Sequence, residues 1–454
     1  MFDLIVIGAG PGGYEAAAHA GSLGKRVAVF EKAELGGTCL NVGCIPAKTF
    51  LRSSRLFREC REAAAFGIIV DAPSFNLPAL VTRKDNVVAT LRRGVSALLR
   101  DTSVEVFHGA GRLVGRNAVE VAGERYEATN ILIASGSRPA VPPIPGIDGE
   151  RVLDSTSAFE LTAVPERIAI VGGGYIGLEF ASFFHEIGTD VTVYEALPRI
   201  ASGCDGDIAD ELLKILRRGG IEIHLSCVVL GIEGDKLHYQ DAPGEQYSDS
   251  ATYILNATGR TPVVTDLGLE EAGVDVSARG IRVDDQGRTN VPNIWACGDV
   301  TGRHMLAHVA VREGIVAVNS MFGRPDRMRY DAIPAVIYSH PEVAMVGKTE
   351  EELKAAAIDY RKAVVPMALA GRFLVEHVRE TGLVKVLAGA RNGEILGVHA
   401  IGDLSSEFIV AAGAMIEAEM TLAQAGEIIF PHPTVAEALR AAILKAQCQW
   451  SRRE

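Results

Sequence analysis

Two cysteines five positions apart, Cys39 and Cys44, are the residues of this chain best suited to chemistry. They are the only close neighbours among seven cysteines, which is unlike the dense framework of a secreted disulfide protein. In a reducing compartment a close pair indicates redox catalysis or metal binding. Metal is the weaker hypothesis, because no second pair or nearby histidine supplies further ligands. Two buried, inert thiols are the remaining alternative.

The spacing of the pair restricts its conformation. In a regular helix, residues five apart have Cα atoms about 8.6 Å apart, beyond the roughly 7 Å that a disulfide can bridge. We therefore expect a distorted segment if the thiols are bridged, and Gly43 and Pro46 suit such a departure. Lys48 offers a positive charge that could stabilise a thiolate, although a solvated helix lysine is the simpler interpretation.

A glycine-rich turn precedes the cysteines, between a predicted buried strand at 4–7 and an alanine-rich helix at 14–23. In such a turn Gly8 permits the tight bend, Gly10 lets the backbone approach a pyrophosphate, and Gly13 lets the helix pack on the strand. Glu31 ends the next predicted strand, where its carboxylate can accept hydrogen bonds from a ribose. The sequence therefore predicts a dinucleotide site.

The same pattern recurs in the middle of the chain. Gly172, Gly174 and Gly177 follow a second predicted buried strand, and Glu195 ends the strand after that. Packing between helix and strand would explain the glycines but not the two glutamates, so we predict two dinucleotide sites. An acid at this position favours NAD over NADP, because a 2′-phosphate would require an arginine. Arg199 lies close enough in sequence to leave NADP open.

Length and composition predict several domains. At 454 residues, with 48% hydrophobic and 22% charged residues, the chain is globular but too long for one core. The sequence at 254–260 echoes that at 131–138, which indicates a duplicated domain. We predict an α/β fold with two Rossmann-like domains and a C-terminal α+β domain, with strands at 343–347, 383–387 and 395–399 and an apolar helix at 407–419. The predicted boundaries are 1–145 and 146–262 for the two nucleotide-binding domains, 263–332 for a central domain, and 333–454 for the last.

Charge and hydropathy exclude some partners. The formal net charge of −12 repels phosphate backbones and acidic lipid surfaces, so neither nucleic acid nor membrane is an expected partner. No apolar stretch reaches the roughly 18 residues of a membrane helix, and the opening residues do not resemble a signal or transit peptide. We expect a cytoplasmic protein.

Near the other end of the chain, His432 stands between two prolines and five residues before Glu437. A carboxylate that holds one ring nitrogen of a histidine leaves the other free to act as a base toward a thiol. From spacing alone this signal is weak, because such a histidine is often a surface or capping residue. Four further histidines receive only a structural interpretation: His19, His185, His340 and His399.

Together these features resemble the flavoprotein pyridine nucleotide-disulfide oxidoreductases and, within that family, its dihydrolipoyl dehydrogenase group. Gly-Thr-Cys-Leu-Asn-Val-Gly-Cys-Ile-Pro at 37–46 is close to the redox signature of the family, and His-Pro-Thr at 432–434 with Glu437 matches its C-terminal base motif. The likeness covers nearly the whole chain. It implies FAD and NAD as cofactors, a redox disulfide, and a homodimer in which the base of one chain reaches the cysteines of the other.

The resemblance also implies roles for individual residues. Glu179 would pair with Lys48 beside the flavin, and Tyr175 would shield the flavin face where nicotinamide docks. The implied catalytic residues are Cys39, Cys44, His432, Glu437, Lys48 and Glu179. The implied FAD site comprises Gly8, Gly10, Gly13, Glu31, Lys48, Gly111, Asp299 and Ala307, so that the central domain completes it. The implied NAD site comprises Gly172, Gly174, Gly177, Glu195 and Gly259.

The activity implied by the resemblance is oxidation of protein-bound dihydrolipoamide to lipoamide with reduction of NAD⁺ to NADH. The partner would be the lipoyl-bearing component of a 2-oxoacid dehydrogenase or of a glycine cleavage system. Val309, Ala47 and Phe430 depart from the usual pattern, and Phe430 leaves the disulfide substrate open. The alternative is an NAD(P)H-dependent reductase of glutathione, another disulfide or mercuric ion. An assembly component without turnover is opposed by the intact cysteines and base.

Overall fold

The computed structural model describes residues 1–378 and 380–451. The N-terminal glycine turn belongs to a first unit that is built around one sheet. Its elements are β1 Phe2–Ile7, α1 Pro11–Ser22, β2 Val27–Glu31, α2 Gly37–Val42, α3 Cys44–Glu62, α4 Leu77–Asp101, β3 Glu105–His108, β4 Arg112–Leu113, β5 Ala118–Val121, β6 Glu124–Ile133 and β7 Ser137–Pro139. The strand order is β3-β2-β1-β6-β5-β4, and β1 is parallel to β2 and β6. β1 is apolar and almost wholly buried, as expected for a strand covered on both faces.

The second sheet repeats this plan. Its strands run in the order β11-β10-β9-β15-β8, all parallel, and β12, β13 and β14 form a separate antiparallel sheet. The elements are β8 Val152–Leu153, β9 Arg167–Val171, α5 Tyr175–Glu186, β10 Asp190–Tyr194, α6 Gly206–Gly219, β11 Glu222–His224, β12 Val228–Glu233, β13 Lys236–Gln240, β14 Gln246–Ser250, β15 Tyr253–Asn256 and β16 Arg260–Pro262. β16 pairs with β7, so the two nucleotide-binding units are joined by a two-stranded ribbon.

The following segment returns to the first unit. It contains α7 Leu269–Ala272, β17 Val276–Ser277, β18 Gly280–Ile281, β19 Ile294–Ala296 and α8 Ala307–Met321. β19 extends the first sheet in parallel beside β6, and α8 packs against α1. A Cβ on Gly314 of α8 would lie 2.6 Å from the carbonyl oxygen of Gly12 in α1, so the two helices approach backbone to backbone.

The C-terminal part is a five-stranded antiparallel sheet with helices. Its strand order is β20-β21-β24-β23-β22. The elements are β20 Ala335–Ile337, β21 Val343–Gly347, α9 Glu350–Ala355, β22 Tyr360–Pro366, α10 Gly371–Glu376, β23 Leu383–Gly389, β24 Ile395–Ile401, α11 Ser405–Glu417, α12 Leu422–Gly426 and α13 Glu437–Ser451. The predicted last domain runs to 454, and its residues 379 and 452–454 lie outside the described residues.

Aromatic packing fixes the helix that carries Cys44 against the second unit. Phe50 of α3 is buried, with its ring 4.9 Å from Phe183 of α5 and 5.0 Å from Phe159. Rings at these separations add to the free energy of area burial by about 0.5 to 1.5 kcal/mol per pair. The helix that carries Cys44 is therefore anchored in a core that spans both nucleotide-binding units.

The predicted fold class is confirmed: two parallel-sheet units and a C-terminal α+β domain are present. The boundaries of single elements differ slightly from prediction. The first helix begins at Pro11 and not at residue 14, because proline is tolerated at the first helical position, where no N–H partner is needed. The apolar C-terminal helix spans Ser405–Glu417, two residues earlier than predicted at each end. No described helix is long and apolar enough to span a bilayer.

Candidate active site

Cys39 and Cys44 form a disulfide in the structure. Their Cα atoms are 4.6 Å apart, because the chain leaves helical geometry at Gly43, which separates α2 from α3 with φ −135° and ψ −107°. The predicted distortion is thus present at Gly43. Pro46 takes no part in it and lies inside the first turn of α3, where its missing N–H leaves no helical bond unmade.

The redox segment, residues 36–48, contacts the first glycine turn directly. The N–H of Gly36 donates to the carbonyl of Ala9 at 2.8 Å, and a Cβ on Gly37 would lie 2.5 Å from the Cα of Gly10. Both Gly36 and Gly37 have positive φ, at 100° and 58°. The close approach and the left-handed backbone both require glycine at position 37. Cysteines and dinucleotide loop therefore form one local structure.

The free cysteines differ from the pair. Cys297 is buried, and burial followed by the charge of Glu313 raises the pKa of its thiol. Burial raises the pKa of Cys204 to about 12 and that of Cys227 to about 11. A thiol that stays protonated at neutral pH is a poor nucleophile. These three cysteines are packing residues. Of the other free cysteines Cys60 is half-buried and Cys448 is exposed, so the redox assignment of the pair rests on its disulfide and its place beside the glycine turn.

The first glycine turn has the shape of a pyrophosphate cradle. A Cβ on Gly8 would lie 2.4 Å from the carbonyl oxygen of Ala134, and one on Gly13 would lie 1.9 Å from that of Gly8. These glycines close the turn and pack the helix. Gly10 is different, because the nearest atom to a Cβ there is 3.9 Å away. The residues fit a pyrophosphate that lies against the backbone at the N-terminus of α1.

Glu31 is held rigidly at the end of β2. Its Oε2 accepts the N–H of Ala9 at 2.7 Å, and its Oε1 accepts the N–H of Ala33 at 2.8 Å. Each carboxylate oxygen can accept two hydrogen bonds, so the side chain keeps acceptor capacity for a ribose. The predicted ribose acid also organises the glycine loop, a role that sequence reasoning did not include.

The second glycine turn repeats this geometry. Cβ atoms on Gly172 and Gly177 would lie 2.5 Å and 2.0 Å from carbonyl oxygens, whereas a Cβ on Gly174 would meet nothing within 4 Å. Glu195 accepts the N–H of Gly173 at 2.6 Å and that of Leu197 at 2.8 Å. The residues of the second unit therefore fit a dinucleotide in the same way.

Two residues bear on the choice of nucleotide in the second unit. The guanidinium of Arg199 is paired with Asp210 at 3.0 Å and with Glu351 at 3.4 Å. These partners compete with any 2′-phosphate, which supports the preference for NAD. Gly259 follows β15 with φ 120° and has open space around it, as a residue beside a bound nucleotide would.

Three further predicted FAD residues lie at the ends of elements. A Cβ on Gly111 would lie 3.3 Å from side chains of the first sheet, so a packing role accounts for this glycine. Asp299, three residues after β19, accepts a hydrogen bond from the hydroxyl of Ser137, the first residue of β7, and Arg260 Nε lies 3.9 Å from its carboxylate. Ala307 is the first residue of α8, whose N-terminal amides have no side-chain cap.

Lys48 and Glu179 form an ion pair between the two units. Lys48 Nζ lies 2.9 Å and 3.0 Å from the two carboxylate oxygens of Glu179, which joins α3 to α5. The backbone N–H of Tyr338 donates to the same carboxylate at 3.1 Å. Sequence reasoning missed Tyr338, and no local pattern could find it, because it lies in the C-terminal domain, far from Lys48 in the sequence.

His432 and Glu437 form a second pair. His432 Nδ1 lies 3.0 Å and 3.2 Å from the carboxylate oxygens of Glu437, which also accepts the N–H of Thr434 at 3.0 Å. The hydrogen bond from His432 lowers the pKa of the Glu437 carboxyl. The imidazole is 78% exposed and leaves Nε2 to exchange a proton. Within the described part of one chain, no hydrogen bond or ion pair joins this histidine to the disulfide.

Another charged cluster contains His340, Glu380 and Asp403, whose ligand atoms lie within 4.8 Å of one another. Arginines already occupy the carboxylates: Arg55 lies 3.0 Å from Asp403, and Arg58 lies 3.2 Å from Glu380. Two guanidinium groups compensate the buried charge as a metal ion would. The cluster is an ion-pair network that joins α3 to the C-terminal domain.

Comparisons with known proteins identify the family. The description "Pyridine nucleotide-disulphide oxidoreductase" matches residues 2–314, and the dimerisation domain of that family matches residues 333–443. The chain is 42% identical to dihydrolipoyl dehydrogenase 3 of Pseudomonas aeruginosa, over 98% of this chain and 97% of that protein. It is 37% identical to dihydrolipoyl dehydrogenase of Bacillus subtilis, over 97% of this chain and 98% of that protein.

Solved structures show the same architecture. The HOCl-induced flavoprotein disulfide reductase RclA from Escherichia coli superposes with a TM-score of 0.87 at 29% identity, over 97% of this chain and 99% of that one. LpdA from Mycobacterium tuberculosis gives a TM-score of 0.89 at 25% identity, with the same coverage. The matched dimerisation domain supports a homodimer. The chain therefore belongs to the pyridine nucleotide-disulphide oxidoreductases, enzymes that use FAD and NAD.

Proposed function

We propose that this protein oxidises protein-bound dihydrolipoamide to lipoamide and reduces NAD⁺ to NADH, the activity of a dihydrolipoyl dehydrogenase. The observation that carries the proposal is the Cys39–Cys44 disulfide at the break between α2 and α3, next to the first glycine turn. The full-length relatives at 37% to 42% identity carry this activity in their names. The proposed partner is the lipoyl-bearing component of a 2-oxoacid dehydrogenase or glycine cleavage system, in the cytoplasm.

The reaction begins with a proton transfer. His432 of one chain, oriented by Glu437 at its Nδ1, takes the proton of a dihydrolipoyl thiol on Nε2 in the active site of the other chain. The resulting thiolate attacks Cys39 Sγ and breaks the bond to Cys44, which leaves as a thiolate. The second substrate thiol then attacks the mixed disulfide, which releases lipoamide and leaves both cysteines reduced.

The surroundings of Cys44 favour its thiolate. Cys44 is the first residue of α3, a helix of 19 residues, and the N-terminus of a helix stabilises negative charge. Lys48 lies one turn further along the same helix and adds a positive charge. Bound FAD supplies the two-electron acceptor between the dithiol and NAD⁺. The two glycine turns, with Glu31 and Glu195, hold the two dinucleotides in the proposed assignment, and Asp299 and Ala307 complete the FAD site.

The substrate is tested by steady-state rates. We expect high turnover with dihydrolipoamide and NAD⁺, and little with glutathione disulfide and NADPH. The opposite ranking would favour the alternative, a reductase of another disulfide, to which the likeness to a flavoprotein disulfide reductase and the unusual Phe430 lend support. Reduction of mercuric ion by NADPH is assayed in parallel.

The base is tested by His432→Gln. Because a positioned base contributes about 10²- to 10⁴-fold, turnover of dihydrolipoamide should fall by that order. NADH oxidation by an artificial dye, which bypasses the disulfide, should remain. His238→Gln, on the antiparallel sheet of the second unit, is the matched control. Near-normal lipoamide turnover in His432→Gln would remove His432 from the mechanism.

The contribution of the second chain is tested with mixed dimers. A dimer of one His432→Gln chain and one Cys39→Ser chain contains one complete site only if the base acts across the interface. We expect about half of the activity of the native dimer, whereas both parent dimers are inactive. An inactive mixed dimer would place the base and cysteines of each site in one chain.

A further inference from the structure

Three parts of the chain meet at the Lys48–Glu179 ion pair. Lys48 comes from α3 and Glu179 from α5, and the segment after β20 closes over them. The N–H of Tyr338 donates to Glu179 Oε1 at 3.1 Å, and the N–H of His340 donates to the hydroxyl of Ser182 at 3.1 Å. Glu179 and Ser182 lie one turn apart on one face of α5. The segment is thus docked on the second unit by two backbone hydrogen bonds.

The side chain of Tyr338 makes a separate contact with Lys48. Lys48 Nζ lies 4.2 Å from the centroid of the Tyr338 ring, inside the roughly 6 Å within which a cation is attracted to an aromatic face. Burial, and then the charges of Glu342 and Glu179, raise the pKa of the Tyr338 hydroxyl, so the phenol stays neutral. The ammonium is therefore held by a carboxylate and by a neutral ring face.

We propose that Tyr338 is a positioning residue that holds the Lys48 ammonium through its ring face, so that the C-terminal domain helps to set the charge at the redox centre. The proposal rests on the function proposed above for Cys44 and Lys48. Residues four apart on a helix share a face, and Lys48 is four residues after Cys44. An ammonium fixed there stabilises the thiolate more than one that samples several rotamers in water.

The test compares three variants as flavin-containing dimers. Tyr338→Leu removes the ring, Tyr338→Phe keeps it, and Tyr247→Leu removes a half-exposed aromatic ring from β14 of the second unit as a control. The readouts are turnover of dihydrolipoamide and the pH midpoint for alkylation of reduced Cys44 by iodoacetamide, followed by mass spectrometry of its peptide because Cys60 and Cys448 are also free and accessible. The flavin content and thermal midpoint report folding, and Tyr338→Met serves if the leucine variant does not fold.

We expect Tyr338→Leu to lower turnover about three- to thirtyfold and to raise the alkylation midpoint by about 0.5 to 1.5 pH units, because an ammonium that is held less firmly near Cys44 stabilises its thiolate less. Tyr338→Phe should stay within about twofold of the native enzyme, because the ring face remains. Tyr247→Leu should leave the alkylation midpoint unchanged. Adding Tyr338→Leu to Lys48→Met should shift the midpoint no further, since the ring then has no cation to hold.

An unchanged midpoint in a folded Tyr338→Leu enzyme would overturn the proposal. So would a phenylalanine variant that behaves like the leucine variant, or an additive shift in the Lys48→Met background, because each would indicate a structural role for the side chain. The proposed function fails separately, if the native enzyme does not turn over dihydrolipoamide. A midpoint shift in Tyr338→Leu would still support the positioning role in that case.

Discussion

The two nucleotide-binding units share one loop geometry but differ in what encloses it. In the first unit, Gly10 lies against Gly37 of the redox segment, and a Cβ on Gly12 would meet Cys297 Sγ at 3.1 Å and the carbonyl oxygen of Ala310 at 3.0 Å. In the second unit, a Cβ on Gly174 would meet nothing within 4 Å. Other parts of the chain thus pack on the first loop. The second loop is contacted from within its own unit, where a Cβ on Gly173 would lie 3.0 Å from Ile200 Cγ2, and its Gly174 stays open.

The attachment of the two units also differs. The first is joined to α8 by close apolar packing between Gly12 and Gly314. The second is joined to the C-terminal domain by a buried ion cluster, in which Lys385 Nζ lies 2.7 Å from Asp205, 2.7 Å from Asp207 and 2.6 Å from Glu350. Burial lowers the pKa of Lys385, but the hydrogen bonds that its ammonium donates to these carboxylates outweigh burial and raise the pKa.

The shared loop geometry makes each unit fit a dinucleotide, whereas the surroundings of the loop set how freely that dinucleotide exchanges. An enclosed loop suits a cofactor that stays bound, and an open loop suits a substrate that leaves after each turnover. This matches the assignment of FAD to the first unit and NAD to the second.

Breaking the ion cluster around Lys385 should have the strongest effect on stability. Lys385 is 1% exposed and Asp205 is fully buried, so Lys385→Met leaves the Asp205 carboxylate buried without its cation, at a cost of about 3 to 5 kcal/mol in the free energy of unfolding. Urea unfolding should show this loss in the C-terminal domain and second unit, while the flavin remains bound until higher urea. Lys362→Met, on a 44% exposed lysine that contacts the same cluster, should cost about 1 kcal/mol or less. Equal losses of stability in Lys385→Met and Lys362→Met would mean that the cluster does not hold the second unit to the C-terminal domain.

The next effect comes from the last glycine of each turn. A Cβ would lie 1.9 Å from a carbonyl oxygen in Gly13→Ala and 2.0 Å from one in Gly177→Ala. Overpacking should therefore lower the free energy of unfolding of each variant by about 1 to 3 kcal/mol. Gly13→Ala should lose flavin on purification. Gly177→Ala should keep its flavin and show a raised KM for NAD⁺. Flavin absorbance per chain separates the two, and loss of flavin from Gly177→Ala would contradict the assignment of the units.

The smallest effect comes from the two ribose acids. A hydrogen bond to a charged acceptor is stronger than one to a neutral acceptor by about 1 kcal/mol, so Glu195→Gln should raise the KM for NAD⁺ about five- to tenfold. Glu31→Gln, its counterpart in the first unit, should leave that KM unchanged and weaken FAD binding instead. An equal rise in the KM for NAD⁺ in both variants would contradict the assignment of NAD to the second unit and FAD to the first.

Much of this arrangement follows from local sequence. Each glycine turn and its glutamate lie within about 25 residues, so the strand, turn and helix that join them could be predicted, as could the distortion at Gly43. Contacts over long separations could not. The Lys385 cluster brings residues 180 positions apart together, and Tyr338 meets Lys48 only because the C-terminal domain folds back onto α5. The hydrogen bonds that backbone N–H groups donate to Glu31 and Glu195 were also not predicted, because a ribose role already accounted for both acids.

The most direct test of the account is an anaerobic titration of the flavin-containing dimer with NADH. Two electrons per chain should give a long-wavelength thiolate–flavin absorbance band, because the disulfide opens and the Cys44 thiolate then faces the flavin. The band should be absent in Cys44→Ser. Bleaching of the flavin with no such band in the native enzyme would contradict the claim that the Cys39–Cys44 disulfide exchanges electrons with the flavin.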